Sequence, residues 1–179
     1  MNTTSPPVPP VPPGSAGGAG VLGVGVDLVD VPSLAGQLDQ PGTVFAERAF
    51  TARERREARR RAQDKGSREA EHLAARWAAK EAFVKAWSQA VAAGGRAGPP
   101  VLAPEELDWQ EVELVTDRWG RPSLRLLGGL GQALRASLGP QADTPEHWPV
   151  SVSHDGGYAV AIVLCTAPRP TRPTSGRTA

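Results

Sequence analysis

Apolar and polar positions change period several times along this chain. Residues 21–31, VLGVGVDLVDV, alternate: Leu22, Val24, Val26 and Leu28 are apolar, while Gly23, Gly25 and Asp27 occupy the other side. The pattern predicts a strand that buries its even face and offers bare backbone and a carboxylate, open to close approach, on the other. Pro32, Pro41 and Gly42 frame a connecting segment. Thr43–Arg61 predicts two helical pieces, the second capped by Thr51 at the start of TARE. Residues 69–91, rich in Ala and free of Gly and Pro, predict the strongest helix. Trp77, Val84, Trp87 and Val91 form its expected core stripe, and Glu81 and Lys85, one turn apart, share a face. Val112–Thr116 and Ser123–Leu127, joined by DRWGRP, predict a hairpin, and Leu130–Leu138 a short helix. Val150–Ser153 and Tyr158–Leu164, joined through Gly156 and Gly157, predict a second hairpin whose last, almost wholly apolar strand belongs at the sheet centre. Hairpins mixed with helices, without an internal repeat, argue for an α+β fold over a regular parallel series.

Composition sets the limits of that body. The 179 residues include 20 Gly and 18 Pro, and the excess gathers at the ends. Residues 1–20 hold six Pro, four Gly and no charge; residues 166–179 hold three Pro, one Gly and three Arg. Both segments are expected to be unfolded extensions, which leaves 21–165 as one domain. Without the three tail arginines the net charge falls from +1 to −2, which disfavours a generally basic nucleic-acid binder. Cationic charge concentrates in Arg53–Arg61, with six Arg and two Glu, a surface suited to an acidic partner. The single Cys165 excludes a disulfide framework and multi-cysteine zinc sites and suits a reducing compartment, hence a cytoplasmic expectation. No apolar run approaches the roughly 20 residues of a membrane span, and the N-terminus lacks the pattern of a signal peptide.

The remaining chemistry is narrow. Ser153, His154 and Asp155 are consecutive on a predicted strand, point to alternating faces, and cannot align as a hydrolase triad. No nucleophile elbow or phosphate-binding loop is present, GVGVDL fails the dinucleotide fingerprint, and the histidines at 72, 147 and 154 lack metal-ligand spacing. What is left is Asp27 on a strand, Glu81 and Lys85 on a helix, and His154 at a strand end. Two carboxylates suit a magnesium ion that shares its shell with water and a pyrophosphate.

The segments GVGVDLVDV, FAERAFTARE, EHLAARWAAKEAFVKAW, VELVTDRWGRPSLRL and VSVSHDGGYAVAIV, in this order over residues 21–164, resemble the holo-[acyl-carrier-protein] synthase family, the small type of 4′-phosphopantetheinyl transferase. The resemblance implies a small, mostly antiparallel sheet packed on a long central helix, a homotrimer with active sites between subunits, and Mg²⁺ and coenzyme A as cofactor and co-substrate. It implies transfer of phosphopantetheine to a serine of acyl carrier protein with release of adenosine 3′,5′-bisphosphate. Asp27 and Glu81 match the metal-binding acids and Lys85 the pyrophosphate-contacting lysine. His154 matches the residue near the 3′-phosphate of coenzyme A, and Arg76 and Lys80 are further phosphate contacts or, alternatively, structural charges. The cationic helix is expected to face the acidic carrier protein, and a metal-bound carboxylate to accept the serine proton.

The chain departs from the family pattern after Asp27. It reads DLVDVPS, with Asp30 for the usual Glu and Ser33 where an Arg is common, and DGG follows the Ser-His pair. A non-catalytic carrier-protein or nucleotide-binding relative would be compatible with the loss of that Arg, but Asp27, Glu81 and Lys85 together favour the enzyme.

Overall fold

A computed structural model of the chain describes residues 20–94 and 106–167. The two extensions, apart from Gly20, Thr166 and Ala167, and most of the Gly94–Glu106 loop lie outside these residues, and with them the expectation of unfolded ends. The elements are β1 (Val21–Asp30), α1 (Val31–Leu38), α2 (Phe45–Ala49), α3 (Ala52–Lys65), α4 (Glu69–Ala93), β2 (Val112–Thr116), β3 (Pro122–Leu126), α5 (Gly128–Leu138), β4 (Val150–Asp155) and β5 (Tyr158–Thr166), with 3₁₀ turns at Trp109–Glu111 and Pro145–His147. An antiparallel sheet of order β1-β5-β4 and the separate β2-β3 hairpin surround the 25-residue α4, the α+β arrangement expected from sequence. β5 is central, as its apolar run implied.

β1 buries the side opposite to the one its alternation suggested. Gly23 and Gly25 lie against α4 so closely that a Cβ on Gly25 would stand 1.8 Å from the Ala82 carbonyl oxygen and one on Gly23 2.2 Å from that of Ala86. The buried alanines at 78, 82, 86 and 90 let the helix rest directly on the strand backbone and on Ala161 and Val163 of β5. The even side faces outward. Leu22 and Leu28 are 39% and 40% exposed, and Val24, Val26 and Leu28 stand opposite Leu164, Ile162 and Val160 on the same uncovered face. Period-two alternation marks two different faces without saying which one a helix will cover.

The other side of α4 carries the larger packing. Phe83 and Trp87 meet the buried Trp148, whose ring centroid is 4.6 Å from that of Phe83, together with Leu114, Leu124, Leu130 and Leu134. Of the expected stripe, Trp87 and Val91 are buried while Trp77 and Val84 are only partly so.

Residues 31–38, read as a connection, form α1. Asp30 caps it by accepting from the Ser33 amide at 2.8 Å, and Pro32 sits in its first turn. Asp before Pro is a helix-start signal as much as a break. Thr51 and Glu54 form the anticipated capping box of α3.

Candidate active site

Asp27 stands on β1 beyond the two glycines, on the side facing α4. The contact at Gly25 brings in Ala82, so its neighbour Glu81 arrives beside the strand acid, and Lys85 follows one turn later. The Lys85 ammonium donates to Asp27 Oδ1 at 2.7 Å and to the Val26 carbonyl at 3.1 Å. Asp27 and Glu81 line one open cleft of about 270 Å³ with Asp30, Ser33, Gln37 and Trp77. Burial and, next, the Asp27 charge push the Glu81 carboxyl above the usual carboxylate range, and Lys85 opposes them. A half-buried acid whose charge is disfavoured by burial and by the carboxylate beside it marks a place where a cation is welcome. The donors are hard oxygens, and among the described residues no cluster of three or more His, Cys, Asp and Glu forms. Such a set fits magnesium, which needs only one or two carboxylates when water and phosphate complete its shell.

The other three sequence-selected residues lie elsewhere. Lys80 is fully buried and donates to Glu54 Oε2 at 2.8 Å, to the Ala49 carbonyl at 2.7 Å and to the Trp109 carbonyl at 2.8 Å. All three ammonium donors are engaged, so Lys80 is a structural charge joining α4 to α2, α3 and the 3₁₀ turn rather than a phosphate contact. Burial pushes its pKa down against the pull of Glu54. Arg76 is 5% exposed; its Nη1 donates to the His72 carbonyl at 2.8 Å and its Nε has no partner. His154 is exposed on β4, the sheet edge opposite β1, so β5 separates it from Asp27 within one chain.

Sequence reasoning passed over two residues beside His154. The rings of His72 and His154 approach edge to face with centroids 5.8 Å apart, and His72 Nε2 lies 2.9 Å from Ser67 Oγ. Their separation of 82 positions gave no local signal. Ser33, noted only as a departure, lines the acid cleft. Gly156 and Gly157, the other departure, both have positive φ, 57° and 85°, in the two-residue β4–β5 turn.

An α+β body in which a glycine-faced strand and an alanine-rich helix deliver two acids to one cleft, with a lysine bonded to one of them, matches a known family. The family model of the 4′-phosphopantetheinyl transferase superfamily matches residues 23–163, and the chain belongs to that superfamily. Its relatives there include the holo-[acyl-carrier-protein] synthase of Corynebacterium efficiens, 47% identical over 79% of this chain and 91% of that protein. That of Mycobacterium tuberculosis H37Rv is 48% identical over 81% and 96%. Among solved structures, the complex of the Chronobacterium ammoniagenes protein with coenzyme A is 44% identical and superposes with a TM-score of 0.69 over 82% of this chain and 98% of that one. The acyl carrier protein synthase of M. tuberculosis gives 36% and 0.57 over 83% and 100%.

Proposed function

We propose that the chain is a holo-[acyl-carrier-protein] synthase, transferring 4′-phosphopantetheine from coenzyme A to a serine of apo acyl carrier protein. The observation that carries this reading is the meeting of Asp27 and Glu81 in one cleft, with Lys85 bonded to Asp27, in a chain whose family match spans nearly the whole described body. The serine oxygen attacks the phosphorus that bears the pantetheine. The bond from that phosphorus to the bridging oxygen breaks, and adenosine 3′,5′-bisphosphate leaves. Asp27 and Glu81 would hold Mg²⁺, which when bound supplies positive charge to the phosphoryl oxygens. Lys85, fixed beside Asp27, adds a cation at the pyrophosphate, and one of the two carboxylates takes the serine proton.

The division of the site within one chain supports a homotrimer. His154 and Arg76 belong to a group on the β4 side, away from the two acids, so a ligand that uses both groups is served by two copies. The outward apolar face of β1 and β5 supplies a surface for such an assembly. Carrier-protein docking falls to Arg48, Arg53 and Arg56. They are exposed and outside the ion pairs that engage Arg55 with Glu47, Arg59 with Glu69, and Arg60 and Arg61 with Glu57.

No helix among the described residues is long and apolar enough to cross a membrane; with the buried, unpaired Cys165, the activity is assigned to the cytoplasm. Chromatographic detection of adenosine 3′,5′-bisphosphate, formed from coenzyme A only when apo acyl carrier protein and Mg²⁺ are both present, tests the reading. Its absence would refute it.

A further inference from the structure

Helix α4 meets β1 along two rows. In the first, Gly23 lies against Ala86 and Ala90, and Gly25 against Ala82 and Ala86, backbone close to backbone. No strand side chain interlocks with the helix there, so this seam sets how closely the two elements lie more than where they stand along each other. The second row is polar. Gln89 Oε1 accepts from the Val24 amide at 2.7 Å, and one turn earlier the Lys85 ammonium donates to the Val26 carbonyl at 3.1 Å and to Asp27 at 2.7 Å. Glu81, a further turn back, lines the cleft with Asp27. Four residues of helix rise about 6 Å and two residues of strand about 6.6 Å, so positions 89, 85 and 81 run in step with Val24, Val26 and Asp27. β1 is an edge strand, and these α4 side chains take up its outward backbone groups.

We propose that Gln89 is a positioning residue that keeps Asp27 level with Glu81 while substrate is bound, a role that rests on the transferase reading. The Lys85–Asp27 bond holds the same register in the structure. Both of its ends are claimed during the reaction: a divalent cation competes for the Asp27 carboxylate, and the pyrophosphate competes for the Lys85 ammonium. The Gln89 bond is indifferent to that change. It joins an uncharged amide oxygen to a backbone N–H, three residues along β1 from Asp27 and two turns along α4 from Glu81. Without it, the glycine seam alone aligns helix and strand once Lys85 has turned to the phosphates. Gln89 is exposed, so its replacement leaves the core untouched and the defect falls on the site.

Gln89→Leu removes the acceptor and Gln89→Glu keeps one at the same reach, each made in the full chain. Amide hydrogen exchange reads the bond itself: Val24 should lose about fivefold in protection in Gln89→Leu and keep it in Gln89→Glu, with little change in melting temperature for either. Mn²⁺ affinity, measured by electron paramagnetic resonance without any carrier protein, should weaken about fivefold in Gln89→Leu, and more with coenzyme A present than without it, because the pyrophosphate draws Lys85 away. In turnover kcat falls by a similar factor, with KM for the carrier protein unchanged, and Gln89→Glu restores it. Unchanged Val24 protection in Gln89→Leu, a wild-type Mn²⁺ affinity and kcat despite lost protection, or a Glu variant as impaired as the Leu variant would overturn the proposal. The two readings separate. Transfer by wild type beside wild-type behaviour of Gln89→Leu sinks the register role and keeps the transferase. Absence of transfer, together with a Mn²⁺ affinity weakened in Gln89→Leu and kept in Gln89→Glu, sinks the transferase and keeps the register role.

Discussion

The Lys85 ammonium lies 2.7 Å from the Asp27 carboxylate, so one charge pair ties the helix carrying Glu81 to the strand carrying its partner acid. Lys85 thus ties the two elements that carry the acids, and in the proposed reaction it also presents a cation to the pyrophosphate. The pair is partly open, with the lysine side chain 50% exposed, so its contribution to stability is small. Lys85→Met should reduce kcat by about 10² while shifting stability by less than about 1 kcal/mol. Steady-state kinetics beside a thermal melt check both, and an unchanged kcat would remove Lys85 from the chemistry.

Gly25→Ala tests the contact that assembles the site. The added methyl would meet the Ala82 carbonyl oxygen and the Ala86 amide, at 1.8 and 2.7 Å, neither of them a flexible side chain. Helix and strand must separate, at a cost of roughly 1 to 3 kcal/mol or more, and Glu81 moves away from Asp27. Both the melting temperature and the transferase rate should fall, and a variant with the stability and rate of wild type would contradict the direct strand-helix packing.

Lys80→Met should act on folding. It leaves Glu54, itself 1% exposed and also accepting from the Leu114 and Thr51 amides, with a buried charge lacking its counterion. The expected loss is about 3 to 5 kcal/mol, read by denaturant unfolding. A stable variant with a raised KM for coenzyme A would instead return Lys80 to the phosphate site.

The outward face of the sheet should govern assembly. Ile162→Glu places a charge among Val26, Val160 and Leu164 on that face, away from α4. Sedimentation should show a smaller species with unchanged far-ultraviolet dichroism. Retention of the wild-type oligomer would place the interface elsewhere.

The pH dependence of stability has a defined sign. Burial, then the positive neighbours, depress the His72 pKa below 6.5, so the folded state binds fewer protons there than the unfolded state. The His72 contribution is fully present above its unfolded value and is lost as pH falls through that value toward the folded one. Melting temperature should drop as pH falls below about 6.5, and the drop should be smaller in His72→Gln.

Much of this organisation was legible in the chain because it depends on local pattern. The alanine-rich α4, the capping box at Thr51 and Glu54, and both hairpins follow from period and turn chemistry, and Asp27 with Glu81 from their residue type. What escaped the sequence depends on distant partners. The same alternation in β1 suits burial of either face, and Gly23 and Gly25 become the packed side only because alanines of α4 reach them. Lys80 looks like a phosphate ligand beside Glu81, but its helical position turns it away from Asp27 toward Glu54. Asp30 and Pro32 read as a break because no apolar stripe long enough to announce an eight-residue helix follows them.

The central claim is that Asp27 and Glu81 together support phosphopantetheine transfer. Intact-mass measurement of apo acyl carrier protein incubated with this protein, coenzyme A and Mg²⁺ addresses it most directly, with Asp27→Asn and Glu81→Gln run in parallel. The account predicts that the carrier gains the mass of one phosphopantetheine group with the wild-type chain, and that each variant, although folded, leaves it unmodified at equal enzyme and time. A carrier left apo by the wild-type chain, or modified at the wild-type rate by either variant, would contradict it.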